Sequence, residues 1–80
     1  MKRLVYSLRW DRAIGAWMLL LGRCEMDGDV SKAALLWRAR RLCRRVGRTQ
    51  WSQLRVFGKN GRIQFEHTYP RSSDPRRHKG

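Results

Sequence analysis

Eighty residues suffice for one small domain with a single modest core and leave no room for a second. The chain sets 19 Lys and Arg against 6 Asp and Glu, a formal charge of +13. Self-repulsion on that scale weakens a compact state and points to a polyanionic or acidic partner, nucleic acid first and an anionic membrane surface or an acidic protein patch next. Most of the cations are arginine, which favours forked hydrogen bonding and stacking. Cys24 and Cys43 are the only cysteines and form no Cys-x-x-Cys pair, which excludes a disulfide framework and points to a reduced, cytoplasmic chain.

The first element is "LVYSLRW", Leu4 to Trp10, where Leu4, Tyr6, Leu8 and Trp10 alternate with Val5, Ser7 and Arg9 at the period of a half-buried strand. "DRAIG" supplies a turn ending at Gly15, and "AWMLLLGR", Ala16 to Arg23, is apolar enough for a second strand covered on both faces. With one face covered, either Met18 and Leu20 or Trp17, Leu19 and Leu21 stay outside, a stripe that invites a homodimer through the Trp17 to Leu21 strand. The basic "MKR" ahead of this run imitates a signal peptide, but Arg9, Asp11 and Arg12 interrupt it and Arg23 precedes Cys24 where a small residue is needed. The run is too short to span a membrane, and no membrane partner is expected.

"EMDGDVS" reads as a polar turn, with Ser31 or Asp29 as N-cap of the helix that follows. Glu25, Asp27 and Asp29 stand at alternate positions, a spacing compatible with a hard cation, yet acids ahead of a helix also complement its N-terminal dipole. No Glu follows at calcium-loop distance, and no metal or cofactor is expected.

"SKAALLWRARRLCRR", Ser31 to Arg45, is the helix. At ~100° per residue, Leu35, Leu36, Ala39, Leu42, Cys43 and Val46 form a core stripe, while Arg38, Arg40, Arg41, Arg44 and Arg45 take the other side. Trp37 projects among Arg40, Arg41 and Arg44, away from the helix's own core. Gly47 is placed to end the helix in a left-handed cap.

"SQLRVFGKNGRIQFEH" reads as a hairpin tightened at Asn60-Gly61, with Leu54, Val56, Ile63 and Phe65 toward the helix and Arg55, Arg62 and Gln64 on the opposite side. His67 shares the face of Ile63 and Phe65, at the core rim. From Thr68 periodicity is lost. The expected architecture is therefore α+β: residues 1–67 form a four-stranded, mostly antiparallel sheet with one amphipathic helix on one face, in the order strand, strand, helix, strand, strand. Residues 68–80 form a basic extended tail anchored by Tyr69.

Gly58, Lys59, Asn60, Gly61, Arg62, Ile63, Thr68, Tyr69, Asp74, Pro75, Lys79 and Gly80 together resemble the ending of a group of small uncharacterised bacterial and phage domains, approximately G-[KR]-[DN]-G-[KR]-I, then [ST]-Y-G-x-D-P and a closing K-G. The likeness covers about the C-terminal half. Pro70 replaces the family's usual Gly, and "RSS" lengthens the gap before Asp74 and Pro75. The resemblance implies a small strand-and-helix domain from a prokaryotic or phage setting and no particular activity.

Catalytic constellations are missing from the sequence. No serine sits in a Gly-rich elbow, Glu66 and His67 are adjacent strand residues that point to opposite faces, and Gly58, Lys59 and Gly61 lack P-loop spacing. The expectation is a non-enzymatic, sequence-nonspecific nucleic-acid binder. Lys32, Arg38, Arg40, Arg41, Arg44 and Arg45 would hold phosphates, Trp37 would stack on a base, Arg55 and Arg62 would extend the footprint, and Arg71, Arg76 and Arg77 would form a flexible arm. The alternative is a phage-type inhibitor or adaptor in which the Trp and Arg cluster seats on an acidic surface of a host nucleic-acid-processing or defence complex.

Overall fold

The computed structural model describes residues 3–69. Three strands, β1 (Arg3–Asp11), β2 (Ala16–Leu21) and β3 (Cys24–Asp29), precede the helix α1 (Lys32–Val46), and β4 (Trp51–Phe57) and β5 (Ile63–Tyr69) follow it. The class is α+β with one helix, as expected, but the sheet has five strands in the order β3-β2-β1-β4-β5 and is mixed. The extra strand is β3, where a polar turn was expected. It is a short, acid-rich edge strand, the composition with which proteins protect exposed sheet edges, so it carries no apolar alternation.

The added strand also changes the central pairing. β1, β2 and β3 form an antiparallel meander, so β3 runs in the direction of β1. α1 carries the chain back along the sheet, and β4 then lies parallel to β1, with Leu4 beside Ser52, Tyr6 beside Leu54 and Leu8 beside Val56. β5 closes the sheet antiparallel to β4. β2 is therefore an interior strand, with Trp17 and Leu19 buried on the helix side and Met18 and Leu20 on the other face of the sheet.

Glycines allow the tight turns. Gly15 (φ 66°) closes the β1–β2 loop, its N–H donating to the Asp11 carbonyl at 2.8 Å. Gly22 (φ 63°) opens the two-residue turn between β2 and β3, the pattern of a type II′ hairpin. The β4–β5 turn spans Gly58 to Gly61 rather than tightening on Asn60-Gly61: Gly61 N–H donates to the Gly58 carbonyl at 3.0 Å, and only Gly61 (φ 81°) is left-handed. A register shift between Val56 and Phe57 follows. It pairs Ile63 with Phe57, leaving Ile63 49% exposed instead of in the core, and lets Gln64 reach the helix side, where it accepts from Lys32 Nζ.

The core lies between α1 and one face of the sheet. Cross-sheet rows Leu21, Tyr6, Leu54, His67 and Leu19, Leu8, Val56, Phe65 face Leu35, Ala39 and Cys43 of the helix, which are fully buried. Ser52 is buried with them because its hydroxyl donates to the Cys43 carbonyl at 3.0 Å, fastening β4 to the helix. Burial pushes the Cys43 thiol up to about 12. Thr68 and Tyr69 belong to β5 and not to a tail; Tyr69 is 1% exposed.

Ser31 caps the helix N-terminus, its hydroxyl accepting from Ala34 N–H at 3.2 Å, and Asp29 in turn accepts from Ser31 N–H at 2.8 Å. At the other end Gly47 is right-handed (φ −63°, ψ −11°), not left-handed, and its N–H still donates to the Cys43 carbonyl at 2.8 Å. The turn therefore continues past Gly47 and carries Arg48 onto the helix surface. None of the described helices is long and apolar enough to cross a membrane.

Candidate functional site

Helical geometry divides the arginines of α1 into two groups. With Trp37 and Arg41 marking the outward direction, Arg38 and Arg40 fall roughly 80° to either side, along the flanks. Each flank arginine is tied to the sheet. Arg38 Nε meets Asp27 Oδ2 at 2.8 Å and Nη1 meets Asp29 Oδ2 at 3.0 Å, while Nη2 also donates to Asp27 Oδ1 and to the Gly28 carbonyl. The Arg38 hydrogen bonds hold the Asp27 carboxyl below its usual range, and the Ser31 N–H followed by Arg38 does the same for Asp29; Arg38 itself is raised. Two of the three carboxylates considered for a cation, Asp27 and Asp29, are thus turned to a guanidinium, and β3 is buttressed against the helix.

On the other flank Arg40 Nη2 lies 3.1 Å from His67 Nε2 on β5. Guanidinium only donates, so that imidazole nitrogen accepts and the ring proton sits on Nδ1. Phe65 and Tyr69 flank the same ring, with centroids 5.1 and 6.4 Å away. Lys32 points to the sheet as well, its ammonium 4.5 Å from the Trp17 ring centroid and bonded to Gln64; burial lowers its pKa. Lys32, Arg38 and Arg40 are therefore engaged by the sheet, Arg38 at the border of the outward surface.

What remains outward is narrower and continuous. Arg41, Arg44, Arg45 and Arg48 are exposed, and no acid pairs with them among the described residues. They line two shallow clefts of about 270 and 230 Å³, one walled by Arg38, Arg41, Leu42 and Arg45 and the other by Arg41, Arg44, Arg45 and Arg48. Trp37 stands at the head of this row, 60% exposed, with the Arg41 guanidinium 4.8 Å from its ring centroid. Arg48 was missed from the sequence because Gly47 was read as the end of the helix.

Arg55 is on the opposite side of the molecule. It projects from the helix-free face of the sheet and meets Glu66 at 2.9 Å, so it does not extend the helix surface. Arg62 is exposed beside the β4–β5 turn. Arg71, Arg76 and Arg77 lie outside the described residues, as do Asp74, Pro75, Lys79 and Gly80 of the closing motif. Among the described residues no group of three His, Cys, Asp or Glu is disposed to hold a metal ion.

No protein-family model, curated protein or solved structure matches the chain.

Proposed function

We propose that this chain is a non-enzymatic nucleic-acid-binding domain of prokaryotic or phage setting that holds phosphates on Arg41, Arg44, Arg45 and Arg48 and stacks Trp37 on a base. The observation that carries the reading is that no acid among the described residues pairs with that row, in a fold where Arg38 and Arg55 are paired. Four guanidiniums over about two helical turns repel one another, and a row of phosphates offsets that repulsion. The Arg41 guanidinium over Trp37 marks a ring face open to a planar cation or base. Contacts of this kind follow backbone charge and base planarity, so the reading is one of sequence-nonspecific binding.

Fluorescence anisotropy against duplex DNA, single-stranded DNA and RNA over a salt series tests it. Replacing Arg41, Arg44, Arg45 and Arg48 by Ala should flatten the log–log salt slope for duplex by about 3 to 4. Trp37→Ala should weaken single-strand binding roughly tenfold while duplex binding changes little. Unaltered affinity and slope in the four-arginine variant would sink the reading. The exposed Trp within a basic row also suits an acidic protein pocket, and weak, salt-insensitive binding to all three nucleic acids would move the assignment to a host protein complex.

A further inference from the structure

The helix covers one face of the sheet and leaves the other open. One row crosses the open face from edge to edge: Glu25, Leu20, Ser7, Arg55 and Glu66, on β3, β2, β1, β4 and β5. Val5, Met18 and Phe57 stand beside it half-buried, with Trp51 39% and Ile63 49% exposed. The charged strand side chains of this face balance, Arg3, Arg9 and Arg55 against Asp11, Glu25 and Glu66. Half of the chain's 6 acids are thus gathered on one surface of a body of charge +13. Arg55 and Glu66 pair within the chain, while Asp11 and Glu25 have no basic partner, and Arg3 and Arg9 no acidic one, among the described residues. A cleft of about 290 Å³ opens between Arg9, Met18, Leu20 and Glu25.

We infer that this face is the contact surface of a homodimer, in which two copies stack sheet to sheet. A surface that mixes apolar side chains with equal numbers of both charges suits its own copy, whereas a polyanion would meet the acids and a polycation the arginines. The order of the central row supplies the fit. A two-fold axis running along the strands between β1 and β2 turns the second copy over, so that its row reads in reverse. Leu20 then lies over the partner's Ser7 and Arg55 over the partner's Glu25, with no like charges directly opposed. The cleft offers the partner's Arg55 a recess walled by Glu25. In the next row Met18 lies over the aliphatic stem of the partner's Arg9. Four strands of each copy overlap, about 19 Å across and about 25 Å along, which buries roughly 1,000 Å² in total, the lower end of what a specific interface needs. Stacked sheets lie about 10 Å apart with the helices on the outer sides, so the two arginine rows point away from each other at more than about twice the Debye length. Two bodies of charge +13 thereby meet where their charge is balanced.

Dimerisation needs no nucleic acid, and it stands or falls apart from the helix reading. Sedimentation equilibrium of the nuclease-treated intact chain over a concentration series should show the mass rising from one chain to two in the micromolar range. Glu25→Arg, on an exposed strand, sets two arginines against each other and should weaken association by roughly tenfold. Leu20→Glu, on the solvent side of the sheet, should abolish it. Reversing every charge of the row, Glu25→Arg with Arg55→Glu and Glu66→Arg, raises the net charge by the same amount as Glu25→Arg alone and should restore the wild-type constant. Circular dichroism and the melting temperature check that each variant is folded. Replacing Arg41, Arg44, Arg45 and Arg48 by Ala should leave the dimer intact, because those side chains face away from the interface. Loss with Glu25→Arg and recovery in the reversed row supports the dimer even if the helix surface binds no nucleic acid. A chain that stays monomeric at hundreds of micromolar overturns it. So does a dimer that survives both Glu25→Arg and Leu20→Glu, or one that only the helix variant dissociates.

Discussion

Arg38 and Arg41 stand one turn apart on the same helix and have opposite surroundings. Arg38 spans two carboxylates of β3 and holds an edge strand in place, while Arg41 lies over Trp37 with no acid partner among the described residues. The difference comes from the ~100° advance per residue, which rotates one side chain to the flank and leaves the other facing outward. A count of helical arginines thus overstates the surface left for a ligand, because flank positions serve the fold.

The contrast between inward and outward sides is sharpest at the two thiols. Cys43 is buried with its thiol pushed up to about 12 from 9.0, and Cys24 is exposed. Near pH 8 the shift alone lowers the Cys43 thiolate fraction about a thousandfold. Alkylation under native conditions should therefore stop at one label per chain and reach two only in denaturant; two labels in the folded protein would mean that the helix does not cover the sheet as described.

Next in size is Leu35→Ala, expected to cost about 2–5 kcal/mol in denaturant titration, a large share of what a small domain has. The outward replacement of Arg41, Arg44, Arg45 and Arg48 should leave the melting temperature unchanged or raise it, since it removes like-charge repulsion. A drop comparable to that of Leu35→Ala would show these arginines to be part of the fold. Smallest is Arg38→Ala, read through pH. Asp27 and Asp29 have depressed folded-state pKa values, so their contribution is present above the unfolded carboxylate range of about 4 and is lost as pH falls through the folded values. Stability of the wild type should therefore fall more steeply than that of Arg38→Ala below about pH 4. Parallel acid profiles would detach Arg38 from its tethering role.

Apolar periodicity made β1, β2, α1 and the closing hairpin legible in the sequence, including the buried stripe of Leu35, Ala39 and Cys43. β3 was hidden because an edge strand of Glu, Asp and Gly has no apolar period, and its loss reversed the inferred direction of β4: a helix leaving β2 sets the next strand antiparallel to β1, whereas a helix leaving β3 sets it parallel. The same omission hid the partners of Arg38. Ile63 and Gln64 exchanged sides because a register shift next to a turn resets the period of two. Arg48 escaped because a glycine is compatible with right-handed as well as left-handed backbone. For the outward surface, Trp37 with Arg41, Arg44 and Arg45 was legible from helical phase alone.

The central parallel pair also shapes how the chain comes together during synthesis. The meander of β1, β2 and β3 needs only neighbouring residues and two tight turns, but the second edge of β1 has no partner until β4 emerges behind the helix. Until then the middle strand of the finished sheet is an outer strand, with Leu4, Tyr6 and Leu8 uncovered and a full row of backbone groups available for pairing with another chain. Pairing Ser52 with Leu4 closes a long loop, the kind of non-local contact that forms slowly, so the parallel centre of the sheet is its last part to gain a partner in sequence order.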